Sequence, residues 1–393
     1  MKEIRVGIIG TGVIADRSHA ENYKKIPNVK IIAACDINKS KLEAFGQKWS
    51  IPNLYTDYRE LLKRDDIDAV DVCLHNNLHL PMSIEVMKAG KHCFCEKPMA
   101  GSYADAKTLY EASKKLGKEL AIQLSLIYNQ SSRVARKMVE DGELGHVYHA
   151  RSVGYRRKLR PGLDMPPPMF SMDFLTKKWA QHGALYDMGV YHISQILFIL
   201  GVPQLERVSG SIYQECPIDP RLPGAKLMEV EEMGVGFAKY KGNLTIDIIE
   251  TWAINMDDLG QGFIAGSKGG LRFTEEIGYQ GKSEGLKYFT EQNGRIIDTD
   301  LNVAMNGTFN SFADPTARFY SSNLDHWIAF LSGQIKERYD TPWLALQTMK
   351  VSEGIFLSSE LGREVTVDEI EAMSVSSAIK TQETEWGVFN YEF

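Results

Sequence analysis

The residue pattern with the most specific chemistry lies near the amino terminus. There the apolar run IRVGII leads directly into Gly10-Thr11-Gly12-Val13-Ile14-Ala15. Gly10 permits a tight turn, Gly12 lets a diphosphate approach the backbone, and the small Ala15 lets a following helix pack closely on the strand. The amino terminus of that helix would face the phosphates. By itself the glycine pattern is a weak signal, because a merely tight turn can also contain it.

A carboxylate at the end of the next apolar run strengthens the interpretation. Asp36 ends the run VKIIAACD, where it would accept hydrogen bonds from an adenosine ribose. The carboxylate also repels a 2′-phosphate and no arginine follows directly, so NAD is expected rather than NADP, although Lys39 leaves NADP open. We therefore predict a dinucleotide site formed by Gly10, Thr11, Gly12, Val13, Ile14 and Asp36.

Two further segments contain side chains that hold charge or exchange protons. Glu96-Lys97-Pro98 follows the apolar run HCFC, and taken alone it indicates a surface charge pair before a turn. Asp187, Tyr191 and His192 fall in an apolar segment with helical spacing. Asp187 and Tyr191 are four residues apart and share a helical face, whereas His192 is rotated away by about a third of a turn or more.

The elements that must position these residues alternate in the first third of the chain. Apolar runs over 4–10, 29–36, 69–75, 91–98 and 119–126 are separated by stretches with helical patterning, over 42–49, 81–90 and 103–118. Strands separated by helices of this length form right-handed βαβ units and a parallel sheet. The pattern predicts an α/β fold whose first part, about 1–122, is a doubly wound Rossmann sheet that binds NAD.

The pattern changes after residue 122. A helical segment over 132–145 precedes an apolar run at 146–155, and 156–182 is irregular, which in a compact domain is more often functional than idle. A helix is predicted over 184–201, and Lys241-Gly242-Asn243 forms a short turn between two strands. The remaining strands are predicted at 207–213, 231–240, 244–254 and 263–273. We expect an α+β domain over 123–393 with a large, open, mostly antiparallel sheet.

Two more helices are predicted near the carboxyl terminus, over 326–333 and 343–362. We expect the terminal helices, about 321–362, to pack back against the first domain. The tail at 366–393 carries no informative pattern.

Composition narrows the classes of protein. The 393 residues contain 45 Lys and Arg against 51 Asp and Glu, with 44% hydrophobic and 24% charged residues, which excludes collagen, low-complexity disorder and disulfide scaffolds. No basic block indicates nucleic acid, and no apolar run is long enough for a signal core or a membrane span. The five cysteines form no CxxC pair and are interpreted as buried thiols. The expected location is the cytoplasm.

Several motifs occur together in an order that resembles the Gfo/Idh/MocA family of sugar and polyol oxidoreductases, which use NAD or NADP. They are the GxGxxA start, the run LHNNLHLP at 74–81, Glu96-Lys97-Pro98, the segment GALYDMGVY at 183–191 and GSKGGL at 266–271. The resemblance covers most of 1–365. As an ordered set these motifs are highly specific for the family and much less so for its substrate.

The resemblance implies a catalytic role for each candidate. Lys97 would lie between nicotinamide and substrate, donate to the reacting hydroxyl and stabilise charge on its oxygen. Asp187 would fix a neighbouring hydroxyl. Many relatives carry histidine where this chain has Tyr191, whereas the glucose–fructose oxidoreductase branch carries tyrosine. Because a tyrosine with a pKa near ~10 needs positive charge nearby to exchange protons and a histidine does not, Tyr191 and His192 both remain candidates for the acid/base role.

Other positions have weaker support. By resemblance, Leu74, His75, Asn76, His79 and Glu96 would contact the coenzyme, and Gln123 and Tyr128 would border nicotinamide and substrate. Near the irregular loop, Arg157 and Trp179 are candidates for substrate binding, with Trp179 stacking on a sugar. His75 and His79 have a helical spacing that would suit a metal, but no third ligand with suitable spacing is evident, so no metal is expected.

The expected function is an NAD-dependent dehydrogenase that moves a hydride between nicotinamide and a secondary hydroxyl carbon of a sugar, glycoside or cyclitol. Two alternatives remain open: a redox-neutral NAD-dependent glycosidase of the same family, and a non-catalytic NAD(H)-sensing protein. Because the open second sheet would leave an apolar face in water, a homodimer or homotetramer through that sheet is predicted.

Overall fold

Two large sheets with helices packed on them, together with a two-stranded hairpin, make up the described part of the chain. The computed structural model of the chain describes residues 2–167, 169–278, 281–303, 316–320 and 322–393. Residue 321, where the predicted terminal helical segment begins, lies outside these ranges.

The first sheet is the predicted doubly wound parallel sheet, which is confirmed. Its order is β3-β2-β1-β4-β5-β6 and every pairing is parallel. The order reverses between β1 and β4, and ligands of such sheets bind in the crevice at that point. The strands are β1 (Ile4–Ile9), β2 (Val29–Cys35), β3 (Asn53–Tyr55), β4 (Ala69–Val72), β5 (His92–Cys95) and β6 (Leu120–Ile122).

Helices connect these strands and cover both faces of the sheet. A π turn over Ala15–Ala20 leads into α1 (Glu21–Tyr23), followed by α2 (Lys39–Trp49), α3 (Tyr58–Leu62), α4 (Asn76–Lys88) and α5 (Tyr103–Leu116). Side chains fix where they begin: Asn38 accepts from the Lys41 amide at the start of α2, and Ser102 accepts from the Asp105 amide at the start of α5. Strand β3 is not among the predicted strands, because its three residues are too few to show alternation.

The second sheet has nine strands and is mostly antiparallel, as predicted. Its order is β14-β13-β12-β11-β7-β10-β9-β8-β15, and among these pairs β7 and β10 are parallel. Gly242 and Asn243 adopt positive φ in the predicted turn between β9 and β10. The predicted run 263–273 is two strands. The strands are β7 (Val147–Tyr155), β8 (Leu205–Tyr213), β9 (Met233–Tyr240), β10 (Leu244–Thr251), β11 (Phe263–Gly266), β12 (Gly269–Gly278), β13 (Gly281–Gln292), β14 (Arg295–Leu301) and β15 (Val365–Thr366).

The remaining helices join the two sheets. Helix α8 packs on β7, and α10 packs on α5, α8 and β8. Leu324, Trp327 and Ile328 of α9 are buried in the core that contains β1. The helices are α6 (Gln130–Glu140), α7 (Lys177–Ala180), α8 (Val190–Ile199), α9 (Asn323–Leu331), α10 (Thr341–Leu361) and α11 (Val367–Met373), with 3-10 turns at Ser125–Tyr128, Met172–Leu175 and Ala317–Tyr320 and a π turn at Leu185–Gly189. The division into domains 1–122 and 123–393 stays a prediction.

The tail, for which the sequence analysis offered no structure, is folded. Thr366 and Glu369 form a capping box at the start of α11. Beyond it, β16 (Thr381–Thr384) and β17 (Gly387–Asn390) form a hairpin that returns to the first sheet, where Phe389 packs on Tyr58. No helix in the described ranges combines the length and apolar character needed to cross a bilayer.

Candidate active site

The glycine turn after β1 allows a ligand to approach the backbone closely. Gly10 has φ of +93°, and a Cβ at this position would lie 2.2 Å from the Cys73 carbonyl oxygen, so no larger residue fits. A Cβ on Gly12 would meet no atom within 4 Å, which leaves open space beside the turn. Val13 and Ile14 are 42% and 39% exposed at the same place. The turn therefore presents backbone amides and apolar side chains to a ligand, as a dinucleotide site requires.

Asp36 joins this turn to the loop after β2. Its Oδ2 accepts from the Thr11 amide at 2.8 Å and from Thr11 Oγ1 at 2.9 Å, and its Oδ1 accepts from the Asn38 amide at 2.8 Å. A carboxylate oxygen has two lone pairs, so Oδ1 retains capacity for another donor. Asp36 is thus both the support of the glycine turn and a suitable acceptor for ribose hydroxyls.

Lys97 and Asp187 form a largely but not fully buried ion pair between the two sheets. Lys97 lies two residues beyond β5, in a cis peptide bond with Pro98. Its Nζ donates to Asp187 Oδ1 at 2.7 Å and to the Asp187 carbonyl at 2.9 Å, while Trp252 Nε1 donates to Asp187 Oδ2 at 2.9 Å. Burial by itself would lower the pKa of Lys97, but Asp187 holds that pKa above its usual range. Burial would raise the pKa of Asp187, and Lys97 holds it below its usual range.

Tyr191 lies against the same ammonium. Lys97 Nζ is 4.8 Å from the centroid of the Tyr191 ring. Burial raises the pKa of the phenol to about 12, and the charge of Lys97 only partly opposes this. At neutral pH the phenol is therefore protonated and is a weak base.

His192 is paired with a buried carboxylate. Its Nδ1 lies 3.0 Å from Glu250 Oε2, and Ser152 donates to Glu250 Oε1 at 3.3 Å. Burial raises the pKa of Glu250, and His192 opposes this effect. A Cβ on Gly154 would lie 2.3 Å from His192 Cε1, so glycine is needed for the ring to take this place. The carboxylate therefore orients the imidazole ring through Nδ1.

The two pairs belong to one site. Glu250 and Trp252 are two residues apart, so both point from β10 and its end toward the same side of the sheet. The charge of Arg156 contributes to lowering the pKa of both Asp187 and Glu250. The turn that holds Asp187 is a π turn, whose bonds join residues five apart. His192 is therefore rotated less from Asp187 than α-helical spacing implies.

The arginine and tryptophan were not found by the sequence analysis. Arg157 was predicted and its side chain is exposed, whereas Arg156 is the residue whose charge acts on the site. Period-two alternation identifies it, because Arg156 continues the inward face of β7 set by Ser152 and Gly154. Trp252 directly follows β10 and has no comparable pattern in the sequence.

A buried polar network behind Lys97 was also missed. His19 Nδ1 lies 2.8 Å from Asp71 Oδ2 and its Nε2 lies 2.7 Å from Glu96 Oε1. Tyr23 donates to Asp71 Oδ1 at 2.8 Å, and Glu96 Oε2 accepts from the Lys97 amide at 3.1 Å. Burial would lower the pKa of His19, but Cys73, Asp71 and Glu96 beside the ring hold it well above its usual value. Glu96 therefore positions the backbone of Lys97.

The predicted coenzyme residues after β4 lie at the first turn of α4. His75 is half-buried, with Nε2 3.3 Å from Asp173 Oδ2 and its ring 5.1 Å from that of Trp179. Asn76 donates to the Ala180 carbonyl at 2.9 Å. These contacts hold the irregular loop, including the predicted Trp179, beside Leu74 at the end of β4.

His79 and Tyr128 are placed differently from Gln123. His79 is fully buried with its ring nitrogens 2.6 Å from the Pro98 carbonyl and 3.0 Å from the Leu74 carbonyl, so it joins two loop ends and offers no face to a coenzyme. The Tyr128 ring is buried among His326 and Tyr339, which takes it away from the open part of the site. Gln123 Oε1 is buried without a hydrogen-bond partner among the described residues, and a ligand amide would satisfy it.

No group of three or more His, Cys, Asp or Glu side chains with metal-binding geometry occurs in the part of the chain that the structure describes.

Two family models match this chain, and both describe the same oxidoreductase family. Residues 4–124 match the model of an oxidoreductase family with an NAD-binding Rossmann fold, and residues 132–272 match a GFO/IDH/MocA C-terminal domain. A crystal structure of an oxidoreductase domain protein from Kribbella flavida has the same fold, with a TM-score of 0.75 at 21% identity over 93% of this chain and 100% of that one.

Two curated relatives have named activities. D-glucoside 3-dehydrogenase of Escherichia coli K12 is 29% identical over 54% of this chain and 58% of its own length. Myo-inositol 2-dehydrogenase of Thermotoga maritima is 29% identical over 50% of this chain and 55% of its own length. The chain thus matches little more than half the length of these relatives.

We predict that His19 stabilises the fold as an imidazolium. His19→Gln leaves Asp71 and Glu96 buried without their shared cation, which should lower the free energy of unfolding by about 3 kcal/mol at pH 7. The folded pKa lies above the unfolded value of about 6.5, so this stabilisation is complete below that pH and is lost as pH rises through the folded pKa. The difference between wild type and variant should shrink as the pH rises from about 7 to about 8, by at most about 1.4 kcal/mol per pH unit, measured by urea unfolding.

The exposed His146 provides the control, since His146→Gln should leave stability unchanged at both pH values. A difference that stays constant between the two pH values would show that His19 is neutral in the folded protein.

Proposed function

The chain belongs to the GFO/IDH/MocA oxidoreductase family, and from its site we propose that it transfers a hydride between NAD and a secondary hydroxyl carbon of a sugar, glycoside or cyclitol. The observation that carries the proposal is the Lys97–Asp187 ion pair at the carboxyl end of β5, in the crevice of a dinucleotide-binding sheet. The named activities of the glucoside and inositol dehydrogenases support this substrate class.

Lys97 acts as a donor. Because Asp187 keeps its pKa above the usual range, the ammonium is charged at every physiological pH and does not accept the substrate proton. It donates a hydrogen bond to the reacting oxygen and stabilises the negative charge that develops there. One carboxylate oxygen of Asp187 accepts from Nζ and holds it in place. The other carboxylate oxygen accepts from Trp252 Nε1.

His192 accepts the proton in the direction of alcohol oxidation. A base must be unprotonated at working pH, which favours an imidazole over a phenol whose pKa is about 12. Glu250 orients the imidazole through Nδ1 and stabilises its charged form. Tyr191, packed against the ammonium, positions the substrate hydroxyl beside Lys97.

The residues present fit a dinucleotide. The Gly10–Gly12 turn would hold the diphosphate, Asp36 the adenosine ribose, and the orphan Gln123 Oε1 has the chemistry to accept from a carboxamide. When bound, the nicotinamide supplies the hydride acceptor. Trp179, held beside His75, offers a ring face to the apolar side of a sugar.

The protein is also proposed to be a homo-oligomer. Helices α8 and α10 cover one face of the second sheet, and the other face carries His149, Asp247 and the 37%-exposed Phe237. An open sheet with exposed aromatic residues is typical of a subunit interface. The expected cytoplasmic location stays a prediction.

We predict that Lys97→Met lowers kcat by about 10²- to 10³-fold, because the donor to the reacting oxygen is lost. The Kd for NAD should stay within about threefold of wild type, since the glycine turn is unchanged. The assay follows NADH absorbance on a panel of glucosides, aldoses and inositols, and Lys241→Met in the exposed β9–β10 turn is the control.

Turnover of Lys97→Met at the wild-type rate would remove the basis of the proposal. Glycoside cleavage without net NADH would favour the NAD-dependent glycosidase, and coenzyme binding without reduction by any member of the panel would favour the NAD(H) sensor.

Two variants separate the candidates for proton transfer. His192→Asn should lower kcat by about 10²-fold or more and abolish the loss of activity that accompanies protonation of the imidazole as pH falls. Tyr191→Phe should lower kcat by less than about tenfold. It should still lose activity as the pH falls, as the wild type does. The pH dependence of kcat/KM measures both. The opposite ranking of the two variants would assign the proton to Tyr191.

Light scattering coupled to gel filtration should give a dimer or tetramer for the wild type. Phe237→Asp places a charge on the open sheet face and should shift the mass toward the monomer. The control is Val388→Asp on the carboxyl-terminal hairpin, which should leave the mass unchanged. A monomeric wild-type protein would contradict the oligomer.

A further inference from the structure

The carboxyl-terminal hairpin, β16 and β17, lies against the loop that follows β2. Trp386 Nε1, at the hairpin tip, donates to the Ile37 carbonyl at 2.8 Å. At the hairpin base, Phe389 and Tyr391 pack on Tyr58 with ring centroids 5.3 and 5.8 Å away. These contacts fix the hairpin to the first sheet, next to Asp36.

A cleft of about 620 Å³ separates the hairpin from this loop. Its two sides come from segments far apart in the sequence. One side is the loop and the start of α2, and the other is the hairpin; the lining residues are Ile37, Asn38, Lys39, Ser40, Glu383, Thr384 and Glu385.

The position of the cleft identifies the group that would enter it. In a Rossmann sheet the carboxylate at the end of the second strand meets the adenosine ribose, and the residues just after it meet the 2′ substituent. Ile37, Asn38 and Lys39 are these residues here. A 2′-phosphate on a dinucleotide bound at the glycine turn would therefore point into the cleft and face the hairpin on its other side.

The charges around the cleft disfavour such a group. Glu383 and Glu385 line it from the hairpin and Asp36 adjoins it, whereas Lys39 is the cation that lines it. Lys39 is exposed and lies 3.9 Å from Glu43, which reduces its attraction for a phosphate. An incoming dianion would meet more negative than positive charge in a cleft whose two sides are joined by the hydrogen bond from Trp386 to the Ile37 carbonyl.

We propose that the carboxyl-terminal hairpin selects the coenzyme, with Glu383 and Glu385 repelling the 2′-phosphate of NADP across the cleft so that NAD is preferred. The inference rests on the proposed function and adds to Asp36 a second determinant from the opposite end of the chain. Proteins commonly achieve specificity by positioning like charges that repel the unwanted ligand.

Titration of the full-length protein with NAD and NADP separately, without substrate, tests the proposal by calorimetry. Glu383→Gln/Glu385→Gln should lower the Kd for NADP by about tenfold and leave the Kd for NAD within about twofold. The gain should shrink in about 0.5 M salt, because the repulsion is electrostatic and near the surface. Glu385→Lys, which reverses one charge, should increase the affinity for NADP further.

A control with the same change of net charge is Glu360→Gln/Glu392→Gln, in which both residues are exposed and neither lines the cleft. It should leave the NADP to NAD ratio of Kd values unchanged. An equal change for both coenzymes in the hairpin variant, or no change, would overturn the selective role of the hairpin. A wild-type protein that binds neither coenzyme would instead overturn the proposed function, and this inference with it.

Discussion

The ion pair of Lys97 and Asp187 is the interaction on which the site depends. It joins the end of a strand in the first sheet to a helical turn that packs on the second. Removing two charges from water is costly, and here hydrogen bonds from Trp252 and to the Asp187 carbonyl help offset that cost. The pair connects the two sheets and keeps the ammonium charged. Both consequences suit the donor role that we propose for Lys97.

Each member of the pair is held by groups that do not touch substrate. On one side, Glu96 accepts from the Lys97 amide, and His79 holds the Pro98 carbonyl. On the other, the π turn carrying Asp187 begins where Glu231 accepts from the amides of Gly183 and Leu185. Burial raises the pKa of Glu231 to about 7. Further buried polar groups thus hold the polar groups of the site in place through hydrogen bonds.

Sequence patterns predicted what depends on periodicity and on ordered motifs. The parallel sheet, the glycine turn, Lys97 and the helix that carries Asp187 follow from apolar alternation, helix spacing and family resemblance. Contacts between distant segments could not be predicted in this way. His19, Glu250 and Trp252 enter the site because strand pairing and the π turn bring them there, and no local pattern marks them. The tail was uninformative because its hairpin is held by Tyr58 and Ile37, more than 300 residues earlier in the chain.

The buried His19 network connects the glycine turn to Lys97, the residue proposed to donate to the substrate. His19 belongs to the π turn that follows the glycine loop, and its ring contacts Glu96, whose carboxylate accepts from the Lys97 amide. A displacement of the glycine loop would therefore reach the Lys97 backbone through two hydrogen bonds, of 2.7 Å and 3.1 Å. In a close-packed interior such a displacement is not absorbed by neighbouring groups. The helical segment proposed to face the diphosphate is thereby connected to the backbone of Lys97, the proposed donor to the alcohol.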